Sequence, residues 1–390
     1  MNVTVTTNTS WFSRIASSFA GVIIGIILIP VCIWALSWNE GRAVQTERSL
    51  TEGAGAVVTV PNTAVTPGNE GKLVHTTGPL VIAEPLTDTE YGVTAPGVRL
   101  TRTAEMYQWV ENSKSETRTK LGGGEETVTT YSYAREWRSE PVDSSGFKQA
   151  GHDNPPMSIQ SNEVKAPSGT LGAFTVRENV LDSLSDAQPV ALGSQEAAIR
   201  AAIGDRAAQI SGNTINFGAN PTTPAIGDTR ISYTAVPTGP ISVVGAQQGD
   251  TFASYQAKAG DQILLVSRGE ETAAAMFKTA QDNNRILTWA IRIGGIFGLM
   301  IGFGMIMAPI GVLLDVLPFL GSIARLGTGI FGFVLAIVVG FVTIAIAWIA
   351  VRPILSIVLI SIAVGAFVLF AVYGKKKDKA RAADAAPAPA

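Results

Sequence analysis

IASSFAGVIIGIILIPVCIWALSWN, residues Ile15–Asn39, runs for 25 positions without a Lys, Arg, Asp or Glu. At about 1.5 Å rise per residue, a helix of this length exceeds a hydrocarbon core of about 30 Å. A cleaved signal peptide is the other reading of an apolar stretch near a chain start. Signal h-regions span only about 7–15 residues, whereas this stretch is longer and is flanked by Trp11 and Trp38. Trp favours the headgroup level, so the stretch reads as a retained anchor. Pro30 inside it is expected to kink the helix rather than end it.

Three more stretches lack charge: Ile293–Leu314, Leu326–Val351 and Pro353–Gly374. Charged residues make up only 15% of the 390-residue chain, against about 25% in a typical soluble protein. The expected fold class is therefore an α+β membrane protein. It has four transmembrane helices, one N-terminal and three C-terminal, and a large β-rich extramembrane domain inserted between spans 1 and 2. The expected division is a cytoplasmic N-terminus 1–14, span 15–38, domain 39–284, span 286–314, a short cytoplasmic loop 315–325, spans 326–351 and 353–374, and a basic, disordered tail 375–390.

The segment Glu40–Asn284 holds 19 Lys and Arg against 28 Asp and Glu, a net charge of −9. An acidic domain repels phosphate backbones, which argues against nucleic-acid binding. Lys375, Lys376, Lys377, Lys379 and Arg381 form the densest basic cluster. The positive-inside rule sets that end, and with four spans the N-terminus, in the cytoplasm, leaving the acidic domain on the far side.

Alternation in Arg230–Val236, with Ile231, Tyr233 and Ala235 on one face, is that of a half-buried strand. Ala56–Val60, Lys72–Thr76, Leu80–Ala83, Ile241–Val244 and Gln262–Ser267 are further short β-prone runs. Ser194–Ile210 and Glu270–Asp282 read as helices, the latter leading into the second span. The clearest unit is a hairpin. Glu105–Glu111 carries Tyr107 and Trp109; Thr127–Trp137 carries Tyr131, Tyr133 and Trp137; Gly122, Gly123 and Gly124 supply the turn. Folding about Gly122 sets Tyr107 opposite Trp137 and Tyr133 opposite Glu111. The aromatic face reads as core, with a partner surface as the rival.

One cysteine, Cys32, excludes an internal disulfide, and no cofactor or metal is expected. The two histidines, His75 in a strand and His152 in a Gly-His-Asp-Asn-Pro-Pro loop, show no metal-binding spacing. Arg292 is the one charge read near a span interior, where it can snorkel; that argues against an ion pathway. Gly294, Gly298 and Gly302, with Gly21 and Gly25, recur every four residues, the spacing at which helix backbones approach closely in lipid.

A set of ordered segments resembles a known family. These are Asn39-Glu40-Gly41-Arg42, Asn69-Glu70-Gly71-Lys72-Leu73-Val74-His75, Tyr91-Gly92-Val93, Glu105 to Trp109, Tyr131-Ser132-Tyr133, Glu136 to Glu140, and Gly151-His152 with Asn154-Pro155. Together with three spans near the C-terminus they are similar to the LUMA, or transmembrane protein 43, family. The resemblance implies a multipass scaffold that organises membrane protein complexes, with no catalytic activity. Its eukaryotic members belong to the endoplasmic reticulum and inner nuclear membrane, and animal members have emerin and lamins as partners. The Ala- and Gly-rich composition suggests a bacterial member in an inner membrane with a periplasmic domain, to which emerin and lamins do not carry over. The expected partners are then the lipid bilayer and other membrane proteins, a second copy of the chain among them. Two alternatives remain at this point: a membrane-tethered hydrolase using His75 or His152, and a ligand-sensing domain signalling through the spans.

Overall fold

The computed structural model describes residues 3–204, 206–351, 353–354, 357–358 and 361. The chain divides into two compact units. One comprises residues 1–8, 48–118 and 126–282; the other comprises residues 9–47, 119–125 and 283–390. Five helices are described: α1 (Trp11–Ala56), α2 (Glu178–Leu181), α3 (Glu196–Ile203), α4 (Ala273–Leu314) and α5 (Pro318–Val351).

The first unit is β-rich. An eight-stranded sheet has the order Val3–Thr9, Glu125–Arg138, Arg99–Thr119, Thr229–Val236, Thr214–Phe217 and Gln209–Ser211, with two short strands added at its middle. In a second sheet the pairings close on themselves. Gly239–Gln248 pairs Thr251–Ala253, which pairs Phe174–Arg177, then Ser168–Leu171, then Leu73–Val81, and Leu73–Val81 returns to Gly239–Gln248. Val58–Thr59 and Leu265–Arg268 add to this ring beside Leu73–Val81 and Gly239–Gln248. The two sheets share one core, in which Val74, Leu80, Phe174, Val243 and Phe252 meet Leu100, Ile215, Ile231 and Tyr233. The alternation read in Arg230–Val236 is the observed one: Ile231, Tyr233 and Ala235 are buried. A smaller cluster adds the ends of two helices, with Leu50 and Phe277 against Leu73, Val244 and Ile263. Gly53 is required there, because a Cβ would lie 2.8 Å from the Phe277 ring.

The hairpin has the expected register. Oγ1 of Thr127 and Thr129 lie 2.9 Å from Thr117 Oγ1 and Ser115 Oγ respectively, and the Tyr107 and Trp137 ring centroids are 5.2 Å apart. The turn uses positive φ at Gly122 and Gly123 but not at Gly124.

In the second unit α1 and α4 run antiparallel, as the contacts Gly25 with Gly302, Cys32 with Gly298 and Leu36 with Gly295 show. Leu36 and Leu299 are fully buried there beside Cys32 and Ala336, while Ile23, Ile24, Ile26 and Ile27 are exposed. An exposed apolar face on a helix of this length is what lipid solvates. Three helices among the described residues, α1, α4 and α5, are long and apolar enough to cross a membrane. The fourth expected span, 353–374, and the tail 375–390 lie outside the described residues apart from five positions at the start of the span.

Several boundaries differ from expectation. Helix α1 continues through Pro30 and on to Ala56, so residues 39–56 are helical, of which 39–47 belong to the helical unit and 48–56 to the β-rich one, and the strand read over Ala56–Val60 shrinks to Val58–Thr59. Helix α5 begins at Pro318, leaving only residues 315–317 of the expected 315–325 loop; proline is favoured at a first helical position. The helix read over Ser194–Ile210 ends at Ile203, where Gly204 takes φ +60°, and Gln209–Ser211 is a strand. Residues 3–9, read as part of a separate N-terminal segment, form a strand of the eight-stranded sheet.

Candidate functional site

Two fully buried carboxylates organise the helical unit. Glu40, on α1, is 1% exposed. It accepts hydrogen bonds from Nε and Nη2 of Arg292 on α4, each at 2.7 Å, and from the indole Nε1 of Trp348 on α5. The Arg292 guanidinium also lies over the rings of Trp289 and Trp348, at 4.9 and 5.5 Å. Asp315, between α4 and α5, is 0% exposed. Arg14 of α1 donates to it at 2.6 Å, and Arg325 of α5 donates at 2.6 and 2.7 Å. Each carboxylate therefore joins the same three helices, and an ion pair with this geometry and an added hydrogen bond offsets the cost of desolvating the charges.

The spacing between the clusters is informative. From Arg14 to Glu40 is 26 residues, about 39 Å of helix; from Arg292 to Asp315 is 23 residues, about 35 Å. The clusters bracket an apolar zone slightly longer than a hydrocarbon core of about 30 Å. The sequence placed only Arg292 near a span interior and read it as snorkelling. In the structure it is paired, and Glu40, assigned by sequence to the soluble domain, is its partner.

The hairpin tip, residues 119–125, belongs to this unit as well. Arg14 donates to the Gly123 carbonyl and pairs with Glu125 at 2.8 Å. The Gly122 amide donates to Val316 O at 3.1 Å, and the Trp11 ring leaves no room for a Cβ at Gly123. The expected topology set residues 1–14 and 315–325 on one side of a bilayer and 39–284 on the other. In the structure residues 119–125 lie against Arg14 and Val316, which belong to the first set.

The glycines separate into two groups. A Cβ at Gly25 would meet Gly302 O at 2.6 Å, one at Gly298 would meet Cys32 Sγ at 2.6 Å, and one at Gly302 would meet Ile29 at 2.8 Å. Gly21 and Gly294 have nothing within 4 Å. Close contacts also lie outside the four-residue pattern: Gly295 faces Leu36, Gly311 faces Arg325, Gly321 faces Asp315 and Gly340 faces Ile296.

The remaining motif residues are structural neighbours of one another. Asn39 Nδ2 donates to Thr288 O at 3.2 Å, and Arg42 donates to Asn284, Asn39 and Thr288; Gly41 meets nothing within 4 Å. In the β-rich unit, Asn69 ends a short 3-10 turn, Glu70 accepts from the Gly249 amide and Gly71, with φ +73°, donates to Gln247 O, so this motif is a turn. His75 is 3% exposed; its Nε2 lies 2.9 Å from Glu271 O and its Nδ1 3.2 Å from Thr59 Oγ1. Burial pushes its pKa below the usual histidine value, and the Glu271 carbonyl partly opposes this.

His152 stacks on Tyr133 at 4.1 Å and meets the edge of Trp109 at 4.5 Å. Asn154 next to it accepts from the Trp109 amide and donates to Trp109 O and Val142 O, tying the loop to the strand. Pro155 packs against Gly227, where a Cβ would lie 2.9 Å from its ring. The Tyr133 hydroxyl donates to Glu111, and burial followed by that carboxylate raises its pKa. The aromatic face of the hairpin is thus covered by the loop that follows it. Deeper in the same unit, Asp88 accepts from Arg102 and from Tyr233, and burial, then the Asp88 contact, pushes the Tyr233 hydroxyl far up. Among the described residues no group of three or more His, Cys, Asp or Glu is arranged to hold a metal ion.

Known proteins share this pattern. The family model described as Transmembrane protein 43 matches residues 106–353. Transmembrane protein 43 of Rattus norvegicus is 31% identical over 368 residues, covering 90% of each chain. The Homo sapiens protein is 29% identical, covering 93% of this chain and 92% of its own. A Transmembrane protein 43 homolog of Drosophila melanogaster is 28% identical, covering 89% and 93%. No solved structure matches. The likeness spans the β-rich unit and the helices alike, and the chain belongs to the Transmembrane protein 43 family.

Proposed function

We propose that this protein is a multipass membrane scaffold, organising membrane protein complexes or membrane structure through its β-rich domain. What supports this reading is how its buried polar groups are used. Every carboxylate oxygen of Glu40 and Asp315 is engaged in joining helices. A transport path requires ionisable groups that change partners, whereas these are held by fixed ones. His75 and His152 likewise pack against neighbours of their own unit. The partners in this reading are the bilayer and other membrane proteins, a second copy included, and the basic segment Lys375–Arg381 faces the cytoplasm.

The test is in-membrane cross-linking of the full chain in its native host, followed by purification in mild detergent and mass spectrometry. A scaffold yields the same few membrane proteins in fixed ratio, and the set changes when exposed residues of the β-rich domain are replaced. Recovery of the chain alone, with a hydrolytic activity that disappears in His152→Ala, would overturn it in favour of an enzyme.

A further inference from the structure

We propose that the helical unit carries a binding site for a phospholipid headgroup of the phosphoethanolamine class, a property independent of the scaffold reading. A cavity of about 360 Å³ opens between α1 and α4 beside the Glu40 cluster, within the range of small-ligand clefts, about 300–1,000 Å³. Its charged lining is ordered by helix. Glu40 and Glu47 come from α1 seven residues apart; Arg285 and Arg292 come from α4 at the same spacing. Seven residues is two helical turns, so each pair presents one face. Carboxylates thus line one wall and guanidiniums the other.

The position along the helices points to a lipid. The cavity lies directly beyond the apolar stretch that ends at Asn39. Trp34, Trp38 and Trp289, all exposed, mark that level, and exposed Trp on membrane helices belongs to the headgroup region. Arg42 holds two of the lining residues in place, donating to Asn284 and to Thr288.

The lining selects among headgroups. Two carboxylates and two guanidiniums leave the site without net charge, which favours a zwitterion over an anionic lipid. A phosphate matches the guanidinium wall and its forked donors. A choline would require open aromatic faces around it. A choline also has no N–H to donate to the carboxylate wall. A primary ammonium, with three donors for the carboxylate wall and Glu47 foremost, fits instead.

The experiment uses the full chain in mild detergent, delipidated and then offered phosphatidylethanolamine, phosphatidylcholine or phosphatidylglycerol, with retained lipid read by native mass spectrometry. The expected result is preferential retention of phosphatidylethanolamine. Glu47→Gln and Arg285→Gln should each weaken it about tenfold, the effect of one charge-assisted contact, while Arg285→Lys recovers part of it. Each variant is compared at equal folded fraction, judged by its melting curve. Equal retention of the three lipids, or retention unchanged in both charge-removing variants, would overturn the site. Displacement by soluble glycerophosphoethanolamine at equal concentration would overturn the lipid as its source.

Discussion

The two ends of the helical unit solve the same problem with different parts. At one end a glutamate is held by one arginine and an indole; at the other an aspartate is held by two arginines. Both carboxylates are fully buried, but their partners are not equally so. The Arg292 side chain is 15% exposed, whereas Arg325 is 47% exposed, and Arg14 has a second carboxylate in Glu125. The Glu40 end is therefore a closed pair, and the Asp315 end is a shared network that opens partly to water. In a closed pair, losing one member strands the other; in a network, the survivors find alternatives.

That contrast sets the largest expected effect. Glu40→Leu leaves Arg292 buried without a carboxylate and should cost about 3–5 kcal/mol. Asp315→Asn leaves Arg14 with Glu125 and Arg325 with solvent, and should cost about 1–3 kcal/mol, the penalty of one lost charged partner. Melting in detergent compares them. The contrast breaks if the two variants melt together. A double change, Glu40→Leu with Arg292→Met, should recover much of the loss, because it removes both charges.

Next comes packing along the helix seam between the two ends. A methyl at Gly25 meets a backbone carbonyl, which cannot swing aside as a side chain can. Gly25→Ala should therefore cost about 1–3 kcal/mol through overpacking, and Gly298→Leu a similar amount against Cys32. Gly294→Leu faces open space and should leave the melting temperature within a degree or two of native, roughly the scale of a surface change. Equal losses at Gly25 and Gly294 would mean that helix propensity, not close approach, governs the series.

How far these features could be read from sequence depends on how local they are. The facing of Tyr107 and Trp137 follows from counting about Gly122, since a hairpin register is fixed by its own turn. The Glu40–Arg292 pair joins residues 252 apart, and nothing near Glu40 marks it as buried; a carboxylate just after an apolar stretch reads as the first residue in water. The glycine spacing supplied the period of the seam and its contacts at Gly25, Gly298 and Gly302, but not where along each helix the seam ends. Gly294 satisfies the four-residue repeat and faces open space, while Gly295, one position round the helix, packs on Leu36. Where it ends depends on which face the partner helix occupies, and that is set elsewhere in the chain. Cavity and charge walls were invisible for the same reason.

The β-rich unit offers a smaller, pH-dependent effect for comparison with the helical one. Burial of His75, only partly opposed by the Glu271 carbonyl, lowers its pKa in the folded state. The unfolded chain then takes the proton first, at about pH 6.5. Stability from this group is complete above that value and is lost as pH falls toward the depressed folded value, beyond which no more is lost. His75→Gln should melt at a temperature less sensitive to pH between about 7.5 and 5.5 than the native protein, read as the difference between the two slopes. Identical slopes would assign the pH response to other groups.

The last comparison is read by labelling rather than melting and concerns where the hairpin tip resides. Leu121, 83% exposed, and Phe12, 76% exposed, are both suited to labelling, and the native Cys32 is buried and slow to react. Hydrogen bonds from Arg14 to Gly123 and from Gly122 to Val316 require the tip and the start of α1 to share one aqueous compartment. Leu121→Cys and Phe12→Cys should therefore react with a membrane-impermeant maleimide from the same face of sealed vesicles. Replacing Arg14 by Gln removes the tip's charged anchor, and a tip held by that anchor should then label faster at Leu121→Cys with no change at Phe12→Cys. If Leu121→Cys reacts only from the opposite face, the Arg14 contact does not persist in the bilayer. Arg14 would then keep Asp315 as its carboxylate without Glu125, and loss of Asp315 would strand Arg14 as loss of Glu40 strands Arg292.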